Sequence, residues 1–222
     1  MPRYNRTTVV LDLDDTLYSE REYLRSGVHY LLNSFRKWLT SDLSLSVCEL
    51  INLSNPIDAL FEYVDLPDSV KQSMLWMYRL HTPDIKLYPD ARNLIDFCNS
   101  QSINIAIITD GRLVSQSLKL KALNLEHVKS YISEEYGDLK PSKNRFLQVQ
   151  EDFPSERYIY VGDNPMKDFI APNQLGWTTV GLSYREGNIH SYLISELSSL
   201  QKPLIWIDEL SEVVQVILED NK

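Results

Sequence analysis

Residues 9–17 read VVLDLDDTL, an apolar run that ends in three aspartates within four positions and then a threonine. Residues 7–13 are mostly apolar and rich in β-branched side chains, as in a strand buried on both faces of a sheet. Carboxylates this close repel one another when ionised. Either the strand runs out into a solvated acidic loop, or positive charge from elsewhere in the chain compensates the cluster.

The next run of this kind is INIAIIT, residues 103–109. Between the two, Leu24, Val28, Leu31, Leu32, Phe35 and Leu39 fall on one face at helical spacing. Helical pattern returns at 47–53, 57–64 and 70–79, punctuated by Pro67 and by Thr82-Pro83, since the residue before a proline is biased away from helix. Residues 18–86 therefore read as an all-helical insertion. From residue 87 onward helix and strand alternate. Ala91, Leu94, Ile95 and Cys98 mark one helix, and Val114, Leu118, Ala122 and Leu125 the next, followed by a short strand near 131–132. A helix around 144–150 leads to the strand YIYVG at 158–162. WTTVGL at 177–182 and a weaker PLIWI at 203–207 give two more strands, and Leu210, Val213, Val214 and Ile217 a closing helix. Such alternation predicts an α/β fold, a parallel sheet with helices on both faces, whose ligands bind beyond the carboxyl ends of the strands. The core domain is expected to comprise residues 1–17 and 87–222.

The totals exclude several classes. A net charge of −9 argues against a nucleic-acid partner, because phosphate backbones demand basic surfaces. No charge-poor stretch of membrane-span length occurs, so no membrane partner is expected. The opening MPRYNRTT lacks the apolar core of a signal peptide. Cys48 and Cys98 sit in helical patterns without metal-type spacing and read as reduced thiols of a cytoplasmic protein. His29, His81, His127 and His190 form no cluster with metal-ligand spacing and read as surface or structural residues, substrate contact from the insertion being the lesser alternative for His29 and His81.

Four strand ends or nearby loops carry the chemistry. The first supplies Asp12, Asp14, Asp15 and Thr16; the second Thr109, Asp110, Gly111 and Arg112. The third region gives GDLKPSKN with Lys140, and the fourth VGDNPMKD with Asp163 and Asp168. Each alone is common turn chemistry. Together and in this order they resemble the four motifs of the haloacid dehalogenase-like superfamily, in particular its phosphatase branch. The resemblance spans the whole chain, including a helical cap inserted after the first motif. It implies a Rossmann-like core domain and a cap over residues 18–86. One departure is Thr109-Asp110-Gly111, where many members carry Thr-Asn-Gly.

By this resemblance Asp12 is the nucleophile and Asp14 the acid/base, with Thr109 and adjacent backbone N–H groups binding phosphate oxygens. Lys140 would stabilise charge on the nucleophile and the transferring group. Mg²⁺ is the implied cofactor, held by the carboxylates of Asp12 and Asp163 and the backbone carbonyl of Asp14. Asp168 and Thr16 would support the site. This chemistry answers the charge problem: a carboxylate attacking a phosphate needs a hard cation and a lysine to offset the meeting of two anions. Asp110, Gly111 and Arg112, together with Arg21 and Tyr23 at the expected cap entrance, are candidates for substrate contact. Asp15 reads as structural. The expected reaction is Mg²⁺-dependent hydrolysis of a small phosphorylated metabolite, a nucleoside monophosphate or a sugar phosphate, through an aspartyl-phosphate. A phosphomutase would use the same aspartates, although Asp15 stands where many mutases have glycine. A dehalogenase would lack Asp14, a silent binding protein would have lost one of the four key residues, and a receiver-type phosphoacceptor would carry no cap.

Overall fold

The computed structural model describes residues 7–35, 47–53, 55–63, 67–183, 185, 188–189 and 192–219. The expectations for Leu39, Val64, His190 and the side chain of Cys48 fall outside the described residues. In chain order the elements are β1 (Thr7–Leu11), α1 (Glu20–Phe35), α2 (Val47–Leu50), α3 (Pro56–Tyr63), α4 (Asp68–Leu80), α5 (Pro89–Ser100) and β2 (Asn104–Thr109). Then follow α6 (Leu113–Ala122), β3 (Lys129–Ile132), α7 (Ser133–Tyr136), α8 (Asn144–Asp152) and β4 (Arg157–Gly162). The chain closes with α9 (Ile170–Gln174), β5 (Thr178–Leu182), β6 (Ile205–Ile207) and α10 (Val213–Glu219).

The six strands form one sheet in the order β3-β2-β1-β4-β5-β6, and every pairing is parallel. β1 lies inside the sheet, with β2 on one edge and β4 on the other, so the chain changes winding direction there. Such a switch point opens a crevice at the carboxyl ends of the flanking strands. All five β1 residues are buried, which accounts for the unbroken apolar run.

Alternate strand residues feed two apolar layers. Val9, Leu11, Ile107, Ile159 and Val161 face α5, α10 and the helical insertion. Val10, Ala106, Ile108, Tyr158 and Tyr160 face Phe146 of α8, Ala171 of α9 and Trp177. Helices therefore cover both faces. The insertion shares the first layer: Leu31, Leu60, Met74 and Tyr78 belong to the same apolar cluster as the β1 residues.

Most expected elements are present, with three differences. β1 stops at Leu11 rather than Leu13, because after one more ladder bond, Asp12 N–H to Val161 O at 2.9 Å, the chain coils so that Leu17 N–H reaches Leu13 O. α7 and α9, four and five residues long, were not anticipated, being too short to show a helical period. The buried face of α6 carries Ser115, Gln116, Lys119 and Leu120, while the expected Val114, Leu118 and Ala122 are only half-buried.

Candidate active site

The loop after β1 brings Asp12 and Thr16 against the loop after β4. The buried Thr16 hydroxyl lies 3.3 Å from Asp163 Oδ1 and 3.5 Å from Asp12 Oδ2, so it bridges two aspartates. Lys140, from the loop between α7 and α8, is buried with its Nζ 2.5 Å from Asp12 Oδ1, 2.7 Å from Asp168 Oδ1 and 3.1 Å from the Tyr160 hydroxyl. A lone buried ammonium is costly, and paired carboxylates are what make it tolerable. Burial alone would lower the Lys140 pKa, but Asp12 and Asp168 hold it well above the usual value. The aspartates remain over-supplied with negative charge. Burial outweighs the pull of Lys140 and raises Asp12 to about 6. Burial, then the charges of Asp168 and Asp12, push Asp163 well above the carboxylate range.

Carboxylate oxygens of Asp12, Asp163 and Asp168 all lie within 4.8 Å of one another. An all-oxygen donor set with surplus negative charge suits a hard divalent cation. Asp168 also accepts from the backbone N–H of Asn164 at 2.8 Å, which fixes the turn bearing Asp163. The side chain of Asp14 is not in this group.

Asp14 turns instead toward α6. Lys119 Nζ donates to Oδ1 at 2.8 Å and the Tyr18 hydroxyl donates to the same oxygen, while Gln116 Nε2 donates to Oδ2 at 2.8 Å. Burial alone would raise the Asp14 pKa, but the ammonium of Lys119 and these hydrogen bonds bring it below the usual value. Gln116 Nε2 also lies 2.6 Å from Thr109 Oγ1, joining the acid/base candidate to the second motif. Half-buried Glu20 stands nearby, raised to about 8 by burial and then by the charge of Asp14.

Asp110 faces inward to a structural partner. It receives Arg145 Nη2 at 2.6 Å and the backbone N–H of Lys140 at 3.2 Å. The guanidinium of Arg145, buried completely, also reaches Asp138, the carbonyl of Thr109 and the carbonyl of Tyr131. Burial opposes ionisation of Asp110, yet Lys140 and Arg145 keep its pKa below the usual value. Asp15, in a left-handed conformation with φ of 54°, accepts from the N–H groups of Glu20 and Ile189 and so anchors the start of α1.

A small cavity of about 100 Å³ is lined by Asp12, Asp14, Glu20, Thr109, Asp110, Asp163, Asn164 and Lys167. Arg21, Tyr23, Gly111 and Arg112 do not line it. Arg21 bonds Asn52 at 2.8 Å, and Tyr23 is buried against Tyr78 and His81. Gly111 N–H donates to Ser133 Oγ at 2.9 Å, and Arg112 pairs with Glu134 at 2.6 Å. The last two line a more open neighbouring cleft with Leu139. His81 is buried, bonded to the Tyr78 carbonyl and to Ser26, and His29 is exposed on α1.

The profile of the haloacid dehalogenase-like hydrolases matches residues 9–182. The chain belongs to this family. It is 25% identical to the glyceraldehyde 3-phosphate phosphatase of Methanocaldococcus jannaschii, over 96% of this chain and 98% of that one. Its fold resembles that of a protein from Haemophilus somnus described as a predicted phosphoglycolate phosphatase (TM-score 0.68, 16% identity, 96% and 99% of the two chains). It also resembles the Bacillus subtilis HAD-hydrolase YfnB, solved bound to magnesium (TM-score 0.66, 18% identity, 95% and 98% covered).

Within this hydrolase framework the sequence reading missed Tyr18, Glu20, Gln116, Lys119, Arg145, Tyr160 and Lys167. Gln116 and Lys119 left one signal: polar residues three apart on a helix that starts four residues after Thr109. Arg145 left none, since an arginine in the first turn of a helix ordinarily faces water.

Proposed function

We propose that this hydrolase is a Mg²⁺-dependent phosphatase that acts on a small phosphorylated metabolite through an aspartyl-phosphate on Asp12. The observation that carries the proposal is the buried cluster in which Lys140 pairs with Asp12 and Asp168, with Asp163 within reach of the same ion. Bound to the carboxylates of Asp12 and Asp163 and the carbonyl of Asp14, the metal would neutralise charge as two anions meet. Asp12 attacks phosphorus, and the bond to the leaving oxygen breaks as Asp14 passes to that oxygen a proton taken from the monoanionic ester. Asp14 then takes a proton from the water that cleaves the aspartyl-phosphate. Lys140 offsets the charge on Asp12, and the hydroxyl of Thr109 and the N–H of Asp110 hold phosphate oxygens.

Residues 18–86 act as the cap. Both of its junctions with the core meet at one hydrogen bond, Tyr88 N–H to Leu17 O at 2.9 Å, and Glu20, three residues beyond Leu17, lines the cavity from the cap side. A volume of about 100 Å³ lined by polar groups favours phosphoesters of two to four carbons. Drug-sized ligands, nearer to nucleotides, occupy about 300–1,000 Å³. The similarity to a glyceraldehyde 3-phosphate phosphatase points the same way.

The test is a panel of phosphoglycolate, glyceraldehyde 3-phosphate, glycerol 3-phosphate, hexose phosphates and nucleoside monophosphates, each assayed for inorganic phosphate with Mg²⁺ or with EDTA. The short esters are expected to give the highest kcat/KM, and only with Mg²⁺. Nucleotides as the best substrates would refute the size argument. Isomerised ester in place of inorganic phosphate would indicate a mutase.

A further inference from the structure

Resting on the phosphatase reading, we infer that Lys119 and Gln116 of α6 are positioning residues that fix the carboxyl group of Asp14, leaving Oδ2 as the oxygen that passes the proton. Positions 116 and 119 share one helix face. Both side chains are buried, 1% and 5% exposed, on a face where a helix ordinarily places apolar groups. Lys119 is held from two sides: its Nζ donates to Asp14 Oδ1 at 2.8 Å and sits 4.2 Å above the ring centroid of Tyr23. Tyr23 is itself wedged against Tyr78 and His81, with ring centroids 5.4 and 5.1 Å away. The ammonium therefore has little freedom to follow Asp14 if the carboxyl group rotates.

Gln116 secures the other oxygen, and Gly111 makes its approach possible. A Cβ on Gly111 would stand 3.1 Å from both Cγ and Cδ of Gln116, and the φ of 149° there is itself unfavourable for other residues. An ionised carboxylate has about four acceptor positions, two on each oxygen. On Asp14, among the described residues, Oδ1 receives both Lys119 and Tyr18, whereas Oδ2 receives Gln116 alone. Oδ2 thus keeps one position for the leaving oxygen, and later for the attacking water. Asp14 is ionised in the free site, so the proton it passes comes from the monoanionic ester: as the bond from Asp12 to phosphorus forms and the ester bond breaks, that proton moves by way of Oδ2 to the departing oxygen. The ionised Asp14 that results is paired with Lys119.

A role in positioning the acid differs from a merely structural ion pair in its dependence on the leaving group. Phosphoenzyme formation is measured by rapid acid quench with acetyl phosphate, whose acetate departs without a proton, and with glycerol 3-phosphate, whose alkoxide requires one. General acid catalysis contributes about 10²–10⁴-fold, so Lys119→Met is expected to slow the glycerol 3-phosphate reaction by about a hundredfold and the acetyl phosphate reaction by only about threefold. Gln116→Met, which alters no charge, is expected to show the same selectivity in smaller measure and serves if Lys119→Met does not fold. Equal losses with both substrates, or no loss in either variant, would overturn the proposal while leaving the phosphatase reading intact. A wild-type protein that forms no phosphoenzyme from either substrate would overturn both.

Discussion

Arg145 and Asp110 show how far a single residue's role depends on partners distant in sequence. The aspartates of the first and fourth motifs were legible because their order and spacing are distinctive. Asp110 stood out as a departure from a motif and was assigned to substrate contact. Although it lines the cavity, its carboxylate is engaged by Arg145, which ties the carboxyl ends of β2 and β3 to the loop carrying Lys140. Removing one partner of a buried ion pair strands the other in low dielectric. Arg145→Met is therefore expected to cost about 3–5 kcal/mol of stability, read as a lower midpoint of urea unfolding at unchanged slope. Asp110→Asn keeps an acceptor and should cost less, about 1–3 kcal/mol. If Arg145→Met unfolds at the wild-type midpoint, the guanidinium is not what holds this corner. Gln116 and Lys119, marked only by their helical spacing, went unassigned for a related reason: the carboxylate that justifies burying them lies on another element.

At the scale of elements, the strands were readable because parallel strands buried on both faces appear as unbroken apolar runs. Helix orientation was less so. On α6 the apolar positions Val114 and Leu118 suggested the inward face, but the site's demand for Lys119 and Gln116 turns a partly polar face inward. The insertion depends on close contact between α1 and α4. A Cβ on Gly27 would lie 2.2 Å from Cε2 and 2.3 Å from Cδ2 of the Tyr78 ring, so the helices approach only because position 27 has no side chain. In an isolated helix Gly→Ala gains about 1 kcal/mol. Here overpacking, at about 1–3 kcal/mol, is expected to exceed that gain, so Gly27→Ala should lower the melting temperature. A higher melting temperature would mean that the ring moves aside freely.

For the whole molecule, the parallel sheet and the convergence of four distant segments followed from alternation and the rule that ligands bind at the carboxyl ends of such strands, whereas the strand order and the shared apolar layer joining insertion and core had no local signature. Charge couples the fold to pH and metal. Asp12 and Asp163, raised by burial, bind protons in the folded state that the unfolded chain has released; ionising Asp12 costs the metal-free protein stability as pH rises from about 4 through about 6, and Asp163 acts in the same direction. Glu20 acts in the same direction up to about 8. His81, lowered by burial, acts oppositely, contributing stability that is lost as pH falls through its unfolded range near 6.5. A divalent cation replaces the protons on Asp12 and Asp163. The rise in melting temperature on adding Mg²⁺ is therefore expected to be larger at pH 8 than at pH 5, and a gain independent of pH would argue against these carboxylates as ligands. No described helix is long and apolar enough to cross a membrane. The central claim is that Asp12 carries the phosphoryl group, and the most direct measurement is mass spectrometry of the peptide containing Asp12 after rapid acid quench with Mg²⁺ and the best ester of the panel. Phosphate on Asp12, absent from Asp12→Asn and from EDTA-treated protein, is the predicted result; an Asp12→Asn variant that still turns over the ester at the wild-type rate would contradict it.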